Sequence, residues 1–337
     1  MYPQTQQLLR ELVTQKIVPG VSYALLNHSE VLTEVSGWRE VTPKKEKLRP
    51  GLQYDLASLT KVIGTATVIF QLVEAGKLSL SDSVQKYLPE FQDDRVQVWH
   101  LLTHTSGVAG YIPNRDQLAA PELKTALLRL PVTATFEQKV VYTDVGLLYL
   151  GWIIETIYQQ PVQQVIKEQV LQPLELRGAT FTPDPANCVP TNTRTGQLLR
   201  GVVHDPKART LGKNCGSAGL FASLHDLIQF AQWYLGQRPD LAQLISPSFI
   251  KGLYADHTRH QLGRSLAWDL CQPENLQLQP LLYHTGYTGT LLLLDDELQQ
   301  GLIVLTNRVH PREQNSAFLE WRERIVRQFM QELPEKR

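Results

Sequence analysis

The sequence predicts an α/β (α+β) fold: an antiparallel sheet built from the N- and C-terminal segments and flanked by helices, with a mostly helical lobe inserted between them. Three observations predict it. Two β-like runs, GVSYALLN and EVLTEVSGW, stand near the N-terminus. Two more, YTGTLLLL at 287–294 and GLIVLT at 301–306, stand near the C-terminus. Between them, residues from about 62 to 200 are mostly helical in pattern. The expected division is 1–62 with 205–337 for the sheet domain and 63–204 for the helical lobe, with the functional site at their interface.

Each element follows in order. Leu8, Leu9, Leu12 and Val13 have helical spacing, and Pro19-Gly20 then breaks the chain before the first two strands, which the polar His28-Ser29 turn joins. The helical region is punctuated by Pro89, Pro113, Pro121, Pro131, Pro161 and Pro173, which predicts many loops between short helices. A Gly-rich stretch from Gly212 to Gly219 precedes a helix near Asp226 to Leu235. The acidic turn Asp295-Asp296-Glu297 joins the two C-terminal runs into an antiparallel hairpin. Phe318, Trp321, Ile325, Val326 and Phe329 then share one face of a last helix.

Composition narrows the function classes. The 337 residues suffice for one large domain or two intimate ones. Thirty-three basic and 33 acidic side chains cancel, so no net charge calls for nucleic acid or an anionic membrane. The densest basic cluster, Lys44-Lys45 with Lys47, is interrupted by Glu46 and reads as a solvated loop. Cys188, Cys215 and Cys271 are odd in number and widely spaced, which fits a reducing compartment better than a disulfide framework or a cysteine zinc site. Residues 1–7 lack a secretory-signal pattern, and the chain has no apolar run of about 18 residues, so the expected location is the cytoplasm unless a leader has been trimmed.

The chemistry is concentrated in three clusters. Ser58-Leu59-Thr60-Lys61 places a hydroxyl and an amine one helical turn apart, so Lys61 can lie beside Ser58 Oγ and share its proton. A neighbouring amine whose pKa is lowered by desolvation is one way to activate serine. A role for Ser58 as a mere N-cap explains the serine but not a lysine entering an apolar helix. Tyr142-Thr143-Asp144 opens the apolar run VGLLYLGWIIETIY; Asp144 can cap that helix, while the Tyr142 phenol, close to an ammonium, can be held partly ionised as a general base. His284-Thr285-Gly286-Tyr287 lies on the strand leading into the C-terminal hairpin, where a glycine admits a ligand close to backbone and a strand edge offers N–H groups to an oxyanion.

In this order the three clusters resemble the serine β-lactamase and penicillin-binding-protein-like family, in particular the class C β-lactamase, DD-peptidase and esterase branch, with its SxxK, YxN and KTG or HTG elements. GKLSLSDSVQKYLPEF, HLLTHTSG at 100–107, GSAGLFAS at 216–223 and LTNRVHP at 305–311 resemble the same branch. The resemblance implies Ser58 as acylated nucleophile, Lys61 as its proton partner and Tyr142 as the base that later protonates the leaving group. It implies an oxyanion hole of the Ser58 and Tyr287 N–H groups, with Asp144, His284, Thr285 and Gly286 binding substrate and no cofactor. Two positions depart from the pattern. Asp144 stands where many members have Asn, and His284 stands where β-lactamases usually have Lys.

An acceptor-only carboxylate at 144 and a histidine without permanent charge at 284 favour ester or D-alanyl substrates over β-lactams. The expected function is therefore a serine hydrolase that acts through an acyl-enzyme on a small ester or amide. A class C-like β-lactamase, or a non-catalytic penicillin-recognising sensor, is the alternative. The His100-x-x-x-His104 spacing suits zinc on a helix, but no acidic residue follows His100 and no third ligand is identifiable, so no metal is expected.

Overall fold

The computed structural model describes residues 1–241, 243–275 and 277–334. The N-terminal part runs through helix α1 (Pro3–Thr14) and strands β1 (Gly20–Asn27), β2 (Glu30–Glu40), β3 (Glu46–Lys47) and β4 (Tyr54–Asp55). Helices α2 (Thr67–Glu74), α3 (Val98–Leu102), α4 (Ala120–Leu128), α5 (Val145–Tyr158) and α6 (Val162–Ile166) follow. Then come β5 (Thr191–Asn192), β6 (Leu198–Leu199), α7 (Pro206–Leu211), β7 (Phe221–Ala222), α8 (Leu224–Tyr234) and α9 (Pro247–Gly252). The chain closes with β8 (Asp269–Cys271), β9 (Leu281–Gly286), β10 (Thr290–Asp295), β11 (Gln300–Thr306) and α10 (Ala317–Gln331).

The main sheet has seven strands in the order β3-β2-β1-β11-β10-β9-β8, and its strand pairs are antiparallel. β1 and β11 join the two ends of the chain at its centre, with Val21 opposite Thr306 and Asn27 opposite Gln300. Their side chains are buried along nearly their whole length because both sheet faces are covered. On one face Val21, Tyr23, Leu25, Leu293, Leu302 and Val304 pack with Leu9 and Leu12 of α1 and Phe318, Ile325 and Phe329 of α10. On the other, Ala24, Leu26, Leu282, Leu292, Leu294, Ile303 and Leu305 join the large core that contains the buried helices. The alternation along each strand is the two-residue period of a pleated sheet.

Two local expectations change. Tyr287 to Gly289 do not extend a strand; they form the turn between β9 and β10, closed by the Gly289 N–H bonding to the Gly286 carbonyl at 3.0 Å. The middle of the chain also contains the short β5–β6 pair, and β4 pairs with β7. Proline and short polar stretches mark loops, but strands of two residues leave no periodicity to read. Helix α5 is apolar on nearly all sides and buried from Gly146 to Ile154, so residues 142–144 stand where the chain passes from the surface into the core.

Candidate active site

Ser58 stands on a tight turn between β4 and a helical segment whose first part, Lys61–Ala66, is π-helical before it regularises into α2. Ala57 just before it has φ of +47°, a left-handed conformation that is costly for a non-glycine residue. The turn is held by Asp55: its Oδ1 accepts from the Ala57 N–H at 2.9 Å and its Oδ2 accepts from the His204 N–H at 2.6 Å. The buried Asp55 carboxyl thus ties the Ser58 turn to the segment that leads into α7. Desolvation outweighs these hydrogen bonds and leaves its pKa raised.

Lys61 is buried, and its Nζ donates to Ser58 Oγ at 2.7 Å, to Asp144 Oδ1 at 2.7 Å and to the Ser217 carbonyl at 3.1 Å. Desolvation pulls its pKa down, but the charge of Asp144, with Tyr142 and hydrogen bonding, outweighs it and holds the group above the ordinary lysine value. The direction is opposite to the depressed lysine expected from the sequence: with Asp144 beside it, Lys61 holds its proton more firmly than an ordinary lysine does.

Asp144 occupies the N-cap position of α5, yet its side chain makes no capping bond. It bridges two cations instead, Lys61 at 2.7 Å and Lys207 Nζ at 3.0 Å. Burial would raise its pKa, but Lys61 and Lys207 drive it below the usual carboxylate range. Lys207 in turn pairs with Asp205 at 2.9 Å, and the Asp205 Oδ1 caps α7 by accepting from the Ala208 N–H. The result is an alternating line of charge, Lys61, Asp144, Lys207, Asp205.

Tyr142 is half-exposed, and its ring centroid lies 5.3 Å from Lys61 Nζ. The 141–143 segment is held by His104, whose carbonyl accepts from the Val141 N–H at 2.9 Å, whose Nδ1 accepts from the Thr143 N–H at 3.4 Å, and whose ring lies 4.7 Å from that of Tyr142. His100 instead accepts from the Gln97 N–H and pairs with Glu137. Among the described residues no group of three or more His, Cys, Asp or Glu side chains is placed to hold a metal ion.

The end of β9 forms the opposite wall. A Cβ on Gly286 would collide with Thr290 Oγ1 and the Leu56 carbonyl, so glycine lets the strand pass directly over the Ser58 turn. Thr288 Oγ1 donates to the Asp55 carbonyl at 2.7 Å and Thr290 Oγ1 to the Leu56 carbonyl at 3.1 Å, which stitches the β9–β10 turn to the residues before Ser58. Thr285, Gly286 and Tyr287 line a cleft of about 860 Å³ together with Ser58, Tyr142, Asp144 and Lys207.

His284 departs from its expected place. The strand period turns its side chain inward, opposite Leu292, while Thr285 faces the cleft. It is 1% exposed, 6.1 Å from the Tyr142 ring and 6.3 Å from Trp268, behind the cleft wall rather than on it. Burial, then the charges of Arg264 and Lys61, push its pKa well below the ordinary histidine value. The expectation of a direct substrate contact is corrected to a neutral ring packed behind Tyr142.

Sequence reasoning missed Asp55, Lys207 and Arg264. Asp55 had a signal, as the one acid in the short apolar approach to Ser58. Lys207 and Arg264 had none, because only the tertiary fold brings residues so distant in sequence to Asp144 and Tyr142.

A serine hydroxyl held by a buried ammonium, in a cleft between a sheet edge and a helical layer, is the build of a serine hydrolase. The chain belongs to the Beta-lactamase family, whose description matches residues 5–324. It is a serine hydrolase of the β-lactamase and DD-peptidase type. A relative from Salmonella enteritidis PT4, provisionally named a D-alanyl-D-alanine carboxypeptidase, is 29% identical over 76% of this chain and 69% of its own. Solved structures with the same fold include EstCE1, a hydrolase with promiscuous acyltransferase activity (TM-score 0.77, 19% identity, 96% of this chain and 97% of that one). A β-lactamase/D-alanine carboxypeptidase from Pseudomonas syringae is similar (TM-score 0.76, 18% identity, 98% of each chain). Among the described residues no helix is long and apolar enough to cross a membrane.

Proposed function

We propose that the protein cleaves a small ester or a D-alanyl amide through an acyl-enzyme on Ser58. The observation that carries this reading is the pair of 2.7 Å contacts from Lys61 Nζ, one to Ser58 Oγ and one to Asp144 Oδ1. A lysine held cationic in this way orients the serine oxygen and stabilises negative charge that develops on it, but it has no lone pair for the proton. That task falls to Tyr142 as general base, whose ring lies beside the same ammonium.

As Ser58 Oγ bonds to the substrate carbonyl carbon, its proton passes to Tyr142 Oη. The carbonyl oxygen takes up the charge and is received by the N–H groups of Ser58 and Tyr287. Collapse expels the alcohol or amine, which leaves with the proton returned from Tyr142. Water then repeats the sequence on the acyl-enzyme, and Ser58 is freed. In this reading Thr285 and Gly286 bind substrate along the strand edge, Asp144 shapes the opposite wall, and no cofactor takes part. Three free cysteines, two of them buried, accord with a reducing, cytoplasmic setting.

A second reading, hydrolysis of a carboxylate-bearing β-lactam, is favoured by the arginines on the cleft wall, Arg308 and Arg322 among them. Turnover of p-nitrophenyl esters, D-Ala-D-Ala peptides and a chromogenic cephalosporin, each by wild type and Ser58→Ala, tests both. Serine-dependent ester or D-alanyl turnover with slow cephalosporin cleavage is the expected result. Equal activity of Ser58→Ala on every substrate overturns the proposal.

A further inference from the structure

The acyl-transfer steps above leave unused a second groove, of about 670 Å³, where the C-terminal end of α1, the end of β2 and the segment between β11 and α10 come together. Among the described residues Arg308 alone lines both this groove and the catalytic cleft. Val13, Ile17, Val18, Trp38, Val41 and Pro311 give it an apolar wall, and Lys16, Lys45, Arg308 and Arg312 give it four cations. No acidic side chain lines it, although basic and acidic residues cancel over the whole chain. The groove therefore concentrates positive charge beside apolar surface.

Neighbouring acids do not neutralise it. None of the four cations forms an ion pair with a described residue. Glu46, next to Lys45, accepts from Arg39 Nε at 2.6 Å, and Glu313, next to Arg312, accepts from the Tyr287 hydroxyl at 2.8 Å and lines the cleft instead. Arg308 is 7% exposed, yet its Nε and Nη1 donate to the main-chain carbonyls of Tyr287 at 2.6 Å and Asn315 at 3.2 Å rather than to a carboxylate. Burial works against that charge, so an anion brought beside it offsets part of the desolvation. His310 is not a fifth cation: burial, then the charge of Arg200, pushes its pKa down to about 4, and its Nε2 accepts from the Val41 N–H at 2.9 Å. The first turn of α10 opens on the groove through Ala317, and the positive end of that helix adds to the field; Glu320 of the same turn does not line the groove.

Lys45 Nζ stands 4.2 Å from the centroid of the Trp38 ring, so an ammonium and an aromatic face are presented together. A wall of this kind matches a ligand with two parts. A bare inorganic anion leaves the apolar side chains wet, and a neutral hydrocarbon desolvates the cations without pairing them. We infer that the groove is a binding site, separate from the catalytic cleft, for a small amphipathic organic anion of the alkyl or aryl carboxylate class. Its head is met by Arg308, Arg312, Lys16 and Lys45 through charge-assisted hydrogen bonds, and its hydrocarbon lies against Trp38, Ile17 and Val41.

Calorimetric titration of the full chain with octanoate, 1-octanol and inorganic phosphate reads the head and the tail separately. Octanoate is expected to bind at least about tenfold more tightly than either of the others. Two variants locate the site. The double change Lys16→Glu with Arg312→Glu reverses two exposed charges, and Ala317→Glu sets a carboxylate at an exposed lining position in the first turn of a helix, where an acid is tolerated. Each should weaken octanoate binding by at least about tenfold. Turnover of a p-nitrophenyl ester should be unchanged in both, because none of the three residues lines the cleft. Ala317→Glu carries the test should the double variant fail to fold. Octanoate that binds the folded variants as tightly as wild type, whether or not it competes with the ester in the cleft, overturns the inference. Equal affinity of wild type for octanol or for phosphate overturns it as well, since the head or the tail then plays no part.

Discussion

Asp144 Oδ1 lies 2.7 Å from the Nζ of Lys61, a lysine whose side chain is 1% exposed. An ion pair at that depth decides what the lysine can do. Without a carboxylate, desolvation would push Lys61 toward a neutral amine, the form able to accept a proton. With Asp144 in place the balance reverses, and the proposed reaction therefore uses the neighbouring Tyr142 as proton acceptor. Lys61 and, on its far side, Lys207 hold the Asp144 carboxyl below the usual carboxylate range, so the three charges form one unit.

The first prediction concerns the nucleophile. A fluorophosphonate probe should add one equivalent of mass to the wild type and none to Ser58→Ala, because Ser58 combines a cleft position with the Lys61 contact. Intact-mass spectrometry reads the result, and a stoichiometric adduct on Ser58→Ala would transfer the role to another residue.

Tyr142→Phe should lower kcat on p-nitrophenyl esters by about 10² to 10⁴, the usual range for a positioned acid or base. The ring packing against His104 is kept and the residue is half-exposed, so the melting temperature should stay close to that of wild type. Activity within threefold of wild type would reduce Tyr142 to a packing residue.

Asp144→Asn should leave Lys61 buried beside a neutral amide, with a loss of about 1.5–3 kcal/mol as a charge-assisted hydrogen bond is weakened. The pH dependence gives a sharper test. The folded pKa of Asp144 lies below its unfolded value, so the stability it contributes is present above the unfolded value of about 3.9 and is lost as pH falls from there toward the folded one. Lys61, raised in the folded state, contributes below the ordinary lysine value and loses that contribution only as strongly alkaline pH is reached. Melting temperature measured from pH 7 down to about 3 should therefore fall more steeply for wild type than for Asp144→Asn. Parallel curves would show that the pair does not control acid stability.

Much of this was legible in the sequence, and the pattern of what was not has a physical cause. The strands β1 and β11 and the helix α10 announce themselves because each buries a long periodic apolar face. Ser58 and Lys61 could be placed together because helical spacing is local. The sign of the Lys61 shift could not, since it depends on a carboxylate 83 residues away. His284 was misplaced for a related reason: the motif suggests a role, but the side of the strand on which the histidine falls depends on the register of β9 against β10. Lys207 and Arg264 belong to no local pattern and reach the site only through tertiary packing.

Gly286→Ala tests whether the close passage of β9 over the Ser58 turn sets the geometry of catalysis. A methyl group there meets the Leu56 carbonyl and Thr290 Oγ1, both of which take part in the hydrogen bond that joins strand to turn. Relief requires β9 or the Leu56–Ser58 segment to move, and overpacking of this kind costs about 1–3 kcal/mol. The functional loss should exceed the stability loss, because a displacement of about 1 Å between nucleophile and oxyanion donors can cost about 10²-fold in rate. Gly286→Ala is therefore expected to remain folded by circular dichroism, label slowly with the fluorophosphonate and lose at least about 10²-fold in kcat/KM on esters. Wild-type labelling and turnover in a protein that is nevertheless destabilised would show that the Tyr287 N–H is not part of the oxyanion hole.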